Sequence, residues 1–174
     1  MSGLVGVGTI LAIIVVLILT SVYFSLRVVH PGHMMVVYRL GLARSEYVRG
    51  PGLQFVVPII WRPVIVDVRE QFIEQPAQKF ITKDNLPVSV EFLIYWRIVD
   101  PLKSVVNVAS FAGALQAVAT TTLRAVIGDM LLEDVISKRD DIGNELSAQL
   151  DPVVDRWGGK ITTVEIREIT SPRA

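Results

Sequence analysis

His30 and His33 are the only two imidazoles in the 174-residue chain. Their H-x-x-H spacing would offer a metal ion two nitrogens, but a zinc site takes at least three protein ligands. No third ligand is close in sequence. A Ser-His-Asp arrangement would have to recruit one of the same two rings, and no nucleophile-elbow sequence accompanies them. The acidic pairs Glu133-Asp134 and Asp140-Asp141 suit helix N-termini, where carboxylates meet the positive end of the helix dipole. Thr120-Thr121-Thr122 lies in a helical pattern without a basic partner. Gly50-Pro51-Gly52 lacks the glycine spacing and the lysine of a phosphate loop. There is no cysteine, which removes disulfides, thiolate chemistry and S-palmitoylation. The sequence thus predicts no enzyme, with no catalytic, cofactor-binding or metal-ligating residue. His30 and His33 read as polar aromatic rings at a membrane exit.

Interaction surface is what remains, and the elements that carry it begin at the N-terminus. Leu4 to Leu26, "LVGVGTILAIIVVLILTSVYFSL", holds neither charge nor proline. At ~1.5 Å per helical residue the run reaches roughly 35 Å, more than the ~30 Å hydrocarbon core of a bilayer. A cleaved signal peptide would carry a basic n-region and a small-x-small cleavage site; "MSGL" has no basic side chain and no A-x-A follows. Residues 1–27 are therefore expected to form a single retained transmembrane helix. Ser2, in place of glycine, gives no myristoylation signal. No Lys or Arg precedes the span, whereas Arg27, Arg39, Arg44 and Arg49 follow it. That bias places the following domain on the cytoplasmic side of the cell membrane. Overall charge is balanced, 17 basic against 17 acidic residues, so the basic stripe of a nucleic-acid binder is missing.

Beyond the span the pattern turns to strands. Pro31-Gly32 is a turn pair, His33 to Arg39 is rich in β-formers, and "ARSEYVRGPG" reads as a polar loop. "VIVDVREQFIEQ" resumes as a strand. "KFITKDNLPVSVEFLIYWRIVDP" has the form of a hairpin turning at Lys83-Asp84-Asn85, with a long strand from Val88 to Ile98. From Ser110, a plausible N-cap, to Asp129 the period becomes helical, with Phe111, Leu115, Val118, Ala119, Leu123, Val126 and Ile127 as its apolar stripe. Small residues (Ala112, Gly113, Ala114, Ala117, Ala119) permit close packing on this helix, against its own sheet or a neighbouring subunit. Leu132 to Trp157 is a second helical region, with Ile142, Leu146, Leu150, Val153, Val154 and Trp157 on one face. Asp151-Pro152 either restarts or kinks it. A last strand follows Gly158-Gly159. The expected class is α+β: an anchor, a β-rich part at residues 28–90 and an α/β part at 91–174.

"GPGLQFVVPIIWRP", Gly50 to Pro63, fits neither a span nor a half-buried strand. It carries three prolines and no charge from Pro51 to Trp61. Phe55, Val57 and Ile59 would fill a β-rich core. The domain leaves the membrane only some two dozen residues earlier, however, and a bent apolar loop ending in Trp61-Arg62 suits an interface. The expected membrane contacts are Leu53, Phe55, Val56, Val57, Pro58, Ile59, Ile60 and Trp61, with the tip around Val56 to Trp61 at lipid.

These residues resemble the stomatin (slipin) branch of the SPFH superfamily, which also includes prohibitins and flotillins. The likeness runs in order through Val29-x-Pro31-Gly32, Arg39-Leu40-Gly41, Gly50-Pro51-Gly52-Leu53, Pro58, Val66-Asp67-Val68-Arg69, Ile81-Thr82-Lys83-Asp84-Asn85, Trp96-Arg97-Ile98 with Asp100-Pro101, Thr121-Thr122-Leu123-Arg124, Ile127-Gly128 and Trp157-Gly158. The resemblance implies an SPFH domain of two subdomains, at 28–90 and 91–174. It implies a scaffold without catalytic residues or cofactor, which assembles into a large homo-oligomeric ring or cage enclosing a lipid patch. Its partners would be membrane lipids and membrane proteins, among them an NfeD-family protein or a membrane protease; modulation of a channel or transporter is less expected. Eukaryotic stomatins use a proline-kinked membrane hairpin and palmitoylated cysteines, neither of which is present here. Gly159 stands where the family prefers an aliphatic residue, which is expected to weaken the start of the last strand. Family members continue into an Ala/Glu-rich coiled coil, so the resemblance implies such a helix beyond residue 174 and weaker assembly without it.

Overall fold

A computed structural model describes residues 2–39, 42–56 and 61–170. Its contacts divide it into two units, Met1–Asp67 and Val68–Ala174. The sequence reading put its subdomain boundary between residues 90 and 91, which falls inside a strand.

The first unit opens with helix α1 (Ser2–Ser25) and continues without a loop into strand β1 (Leu26–Val29). Strands β2 (His33–Arg39), β3 (Leu42–Arg49), β4 (Gly52–Phe55) and β5 (Trp61–Asp67) complete it. Pro31-Gly32 makes the expected turn: Gly32 sits at φ 84°, a region glycine enters without steric cost. The turn closes with His33 N–H donating to His30 O at 3.1 Å. β1 and β4 form an antiparallel ribbon, and β3-β2-β5 a separate three-stranded sheet. The segment expected as the polar loop "ARSEYVRGPG" is instead mostly β3. It pairs antiparallel with β2, Met35 opposite Arg49 and Val36 opposite Val48. Its polar sequence hid it because it is an edge strand, where charged residues are common. Among the described residues of this unit Val29, Met35, Val37 and Val56 form a core cluster, and Val36 and Val66 are also buried.

α1 has 24 residues, with no acidic residue in its first turn and no basic residue in its last. It lies where the anchor was expected. Among the described residues, no helix is long and apolar enough to cross a membrane; the side chains described on α1 are those of Gly8, 11–23 and Ser25. Its membrane-crossing role is therefore not established by the structure.

The second unit has strands β6 (Gln71–Ile81), β7 (Pro87–Ile98) and β8 (Gly159–Thr170), and helices α2 (Pro101–Val106), α3 (Phe111–Gly128), α4 (Leu132–Ser137) and α5 (Arg139–Arg156). The strand expected to run on from Val64 through Gln75 breaks at residues 68–70, because β5 ends opposite His33 while β6 joins a different sheet. The sheet is antiparallel in the order β6-β7-β8. α3 packs along β6 and α5 along β8. The β7 residues Val88, Val90, Phe92, Ile94, Trp96 and Ile98 are buried at period two, the register of a strand with one face on the core. α3 buries Phe111, Leu115, Ala119, Leu123, Val126 and Ile127, most of the expected stripe. Its other small residues Ala112, Gly113 and Ala117 are exposed. Ser110 caps α3, its Oγ accepting from Gly113 N–H at 3.3 Å.

Three local features differ from expectation. α2 is too short to show a period; Asp100 both ends β7 and caps α2, its Oδ1 accepting from Leu102 N–H at 3.1 Å. The region from Leu132 splits at Lys138, which has φ −112° and ψ 47°. Of the two readings open at Asp151-Pro152, the restart does not occur, since Pro152 lies inside a continuous α5. Asp151 does not cap a new helix; its Oδ1 accepts from Ile161 N–H at 3.4 Å.

Gly158 and Gly159 are structural necessities. Gly158 has φ 76°, and a Cβ there would lie 2.4 Å from Asp100 O. A Cβ on Gly159 would meet Phe111 Cζ at 2.2 Å and Val154 Cγ1 at 3.0 Å. Phe111 occupies that space because it stacks on Trp96, centroids 4.4 Å apart, with Trp157 edge-on at 6.0 Å. The expectation that Gly159 weakens the strand gives way to a packing reason: the aromatic stack leaves room for hydrogen only.

Candidate membrane-contact surface

The described side chains of α1 from Leu11 to Tyr23 are all exposed. Nine of them are large aliphatics, Leu11, Ile13, Ile14, Val15, Val16, Leu17, Ile18, Leu19 and Val22, and Tyr23 is exposed beside them. A water-facing helix of a globular fold presents a polar face instead. Two hydroxyls on this helix bond back to its own carbonyls, Thr20 Oγ1 donating to Val16 O and Ser25 Oγ to Ser21 O, each at 2.7 Å. Such back-bonding removes most of the desolvation cost of a hydroxyl in an apolar medium.

The helix hands over to the β1–β4 ribbon through one hydrogen bond, Val56 N–H to Ser25 O at 2.8 Å. The ribbon pairs Leu26 with Phe55, Arg27 with Gln54, Val28 with Leu53 and Val29 with Gly52. Cross-strand partners share a face, so Leu26, Val28 and Leu53 lie on one side, and Val29 on the other. The first three are 45%, 62% and 67% exposed, while Val29 is buried. Gln54 ties β4 to the turn that follows β3, its Oε1 accepting from Arg49 Nη1 at 3.3 Å and its Nε2 donating to Gly50 O at 3.4 Å.

Of the eight expected membrane contacts, Leu53 is exposed on β4. Val56 is the correction: at 2% exposure it belongs to the core with Val29, Met35 and Val37. Its backbone bond to Ser25 pins it beneath the ribbon, so it is not part of a lipid-facing tip. Val57, Pro58, Ile59 and Ile60, and the side chains of Phe55 and Trp61, lie outside the described residues. The sequence reading missed Leu26 and Val28. Their signal was the alternation Leu26-Arg27-Val28-Val29, hidden because Leu26 was counted into the helix.

The histidines do not converge. His30 is exposed, and His33 faces its cross-strand partner Asp67, Nε2 to Oδ2 3.8 Å. Among the described residues no group of three or more His, Cys, Asp and Glu side chains could hold a metal. In the second unit a cleft of ≈390 Å³ is lined by Val99, Asp151, Pro152, Asp155, Gly159 and Lys160; this lining holds no imidazole, hydroxyl or thiol. The Thr82-Lys83-Asp84-Asn85 signature is a staple. Asn85 adopts φ 62°, Lys83 N–H donates to Met130 O at 2.9 Å, and Asp84 Oδ1 accepts from Leu132 N–H at 3.3 Å. The Thr82 hydroxyl bonded to Asp84 holds its carboxyl below the ordinary 3.8, assisted by backbone N–H groups against some desolvation.

Comparison with known proteins falls on the same chain segment. The sequence pattern of the SPFH domain / Band 7 family matches residues 27–174. The chain is similar to a stomatin homologue of Pyrococcus horikoshii, 40% identical over 161 residues, covering 92% of this chain and 60% of that protein. It is 40% identical over 166 residues to one of Pyrococcus abyssi, covering 95% and 60%. Stomatin-4 of Caenorhabditis elegans is 37% identical over 152 residues, covering 87% and 54%. The chain thus spans some 60% of the length of the archaeal homologues it matches.

Proposed function

The chain belongs to the SPFH domain / Band 7 family, in its stomatin branch, and from that premise we propose that it is a membrane-anchored scaffold that assembles with copies of itself into a ring or cage. One observation carries the reading: the aliphatic side chains from Leu11 to Val22 stand exposed on a 24-residue helix. Such a helix measures ~36 Å, which matches the hydrocarbon core with a modest tilt. Each exposed aliphatic side chain transferred from water to lipid contributes about 1.5–3 kcal/mol, so α1 prefers the bilayer by a wide margin. The arginines that follow the helix favour the cytoplasmic side for both units. The role in this reading is that of a scaffold, in keeping with the stomatin relatives. Subunits joined side by side make heterologous contacts, and a ring closes only if their rotation closes. The enclosed lipid patch and the membrane proteins within it are then what the scaffold organises.

The test is electron microscopy of the detergent-extracted protein. Closed rings or cages are expected. A monodisperse monomer overturns the assembly reading.

A further inference from the structure

We propose that the cleft between α5 and the start of β8 receives Arg124 from a neighbouring copy of the chain, so that each subunit offers a pocket on one flank and an arginine on the other. This rests on the reading of the chain as a self-assembling scaffold, and it names the surfaces that meet.

The cleft is lined by Val99, Asp151, Pro152, Asp155, Gly159 and Lys160. Asp151 and Asp155 stand one turn apart on one face of α5, where like charges repel. Asp155 is in the last turn of that helix, beside the negative end of the helix dipole. Neither carboxylate has an ion-pair partner among the described residues, Lys160 included. Asp151 accepts only the backbone bond from Ile161 N–H. Pro152 has no N–H, so Ala148 O, one turn back, loses its helical donor. Positions 148, 151, 152 and 155 share a helix face. The cleft thus gathers acceptors and supplies no cation to them. Local choices that oppose stability in this way concentrate at functional sites.

A cationic fork on an aliphatic stem fits such a cleft. Cβ atoms one helical turn apart are ~5–6 Å from each other, and a guanidinium spreads its donors in a plane that can bridge two carboxylates. Val99, exposed at the end of β7, and Pro152 wall the cleft for the methylenes. A free small cation would hold weakly to carboxylates open to salt water, whereas an arginine on a docked surface adds the contacts around it.

The other flank of the same unit carries that arginine. α3 lies along β6 and α5 along β8, at opposite edges of the sheet. α3 has no acidic residue, and Arg124 is its one charge; α5 has five carboxylates against two arginines. Arg124 is exposed and has no ion-pair partner among the described residues. It does not reach the cleft of its own molecule. The cleft lies at the Phe111 end of α3, where Gly159 meets the Phe111 ring, and Arg124 is ~20 Å further along that helix. A pocket on one edge and an arginine on the other make a heterologous contact, which can repeat around a ring.

A charge exchange tests the pair. Arg124→Asp and Asp155→Arg alter exposed side chains, and their circular dichroism is expected to match the parent's. Mass photometry of the detergent-extracted protein follows assembly against concentration. Each single variant is expected to raise the concentration needed for assembly by about tenfold, and the double variant to recover most of that loss. Unchanged assembly in either single variant overturns the contact and leaves the scaffold standing. Loss in both without recovery in the double variant also overturns it, because the two side chains then meet different groups. A parent that is monomeric at every concentration removes the scaffold reading, and the contact with it. The chain has no cysteine, so crosslinking decides the matter if a charge variant unfolds. Val99→Cys together with Thr121→Cys, one turn before Arg124, is expected to give a ladder of oligomers with a bismaleimide. Products that stop at the dimer, or no product, overturn the contact.

Discussion

The two units place their apolar residues in opposite ways. In the second, the sheet is roofed by α3 and α5, and the large side chains Phe80, Phe92, Ile94, Leu115, Leu123, Ile127, Ile142, Leu146 and Leu150 are fully enclosed. Its exposed apolar residues are scattered: Phe72 and Ile81 on β6, Leu86 in a turn, Val99, Val106, Leu131 and Ile136 near element ends. Single exposed residues of this kind are ordinary on a water-soluble surface. In the first unit the balance is reversed. Among the described residues Val29, Met35, Val37 and Val56 make a core cluster, with Val36 and Val66 also buried, while exposed aliphatics run along α1 and on to Leu26, Val28 and Leu53, with Val64 and Ile65 on β5. One unit covers its sheet with its own helices. In the other, the described aliphatics of the helix and of one ribbon face stand outward, which is what the proposed membrane reading would account for.

That contrast can be broken most severely at Leu146. Its side chain is fully buried on α5, and Leu146→Ala is expected to destabilise the second unit by about 2–5 kcal/mol. Hydrogen exchange followed by mass spectrometry reads each unit separately. Protection should fall across β7, β8 and α5 equally in detergent and in vesicles; a loss confined to one medium would tie the second unit to the membrane after all. A smaller change in stability, but a larger one in membrane contact, is expected from Ile59→Asp with Ile60→Asp. Each buried charge opposes insertion by about 2.5–3.5 kcal/mol at the centre of a membrane and by less near its surface. Lipid quenching near the loop should weaken while exchange in both units stays unchanged. Collapse of the first unit would return that stretch to its core.

The smallest effect concerns acid. Asp84 has its folded-state pKa lowered by the Thr82 hydroxyl, so its contribution is present above the ordinary value of 3.8 and is lost as pH falls through the lower folded value. Denaturant midpoints of the second unit should therefore drop slightly below about pH 4 in the natural chain, and this part of the slope should flatten in Asp84→Asn. An unchanged slope would show that the staple is held by backbone bonds alone.

The sequence made the second unit readable where period and caps agree. The stripe on α3, its Ser110 cap and the Lys83-Asp84-Asn85 turn are local signals, and each appears in the fold. What escaped reading was decided by tertiary partners. β3 looks like a loop because its polar residues suit a sheet edge, and only pairing with β2 makes it a strand. α2 spans six residues, too few for a helical period. Val56 sits in an apolar run whose inward and outward members cannot be told apart until the backbone bond to Ser25 fixes the register. Leu26 and Arg27 fall inside the anchor expected at residues 1–27, although they already belong to β1, and one residue of difference sets which side chains of the ribbon face outward.

Gly159 lies under the Phe111 ring with no room for a methyl group. In evolutionary terms the two positions are locked together. With Phe111 placed as it is in the stack with Trp96 and Trp157, an aliphatic side chain at 159 would collide with the ring, so the ring must shift or shrink to admit it. A smaller side chain at 111 makes that room, and it leaves a void until a change at 159 fills it. Relatives with an aliphatic residue at this place should therefore differ at 111 as well. The order of the two substitutions, rather than either one alone, is what the geometry constrains.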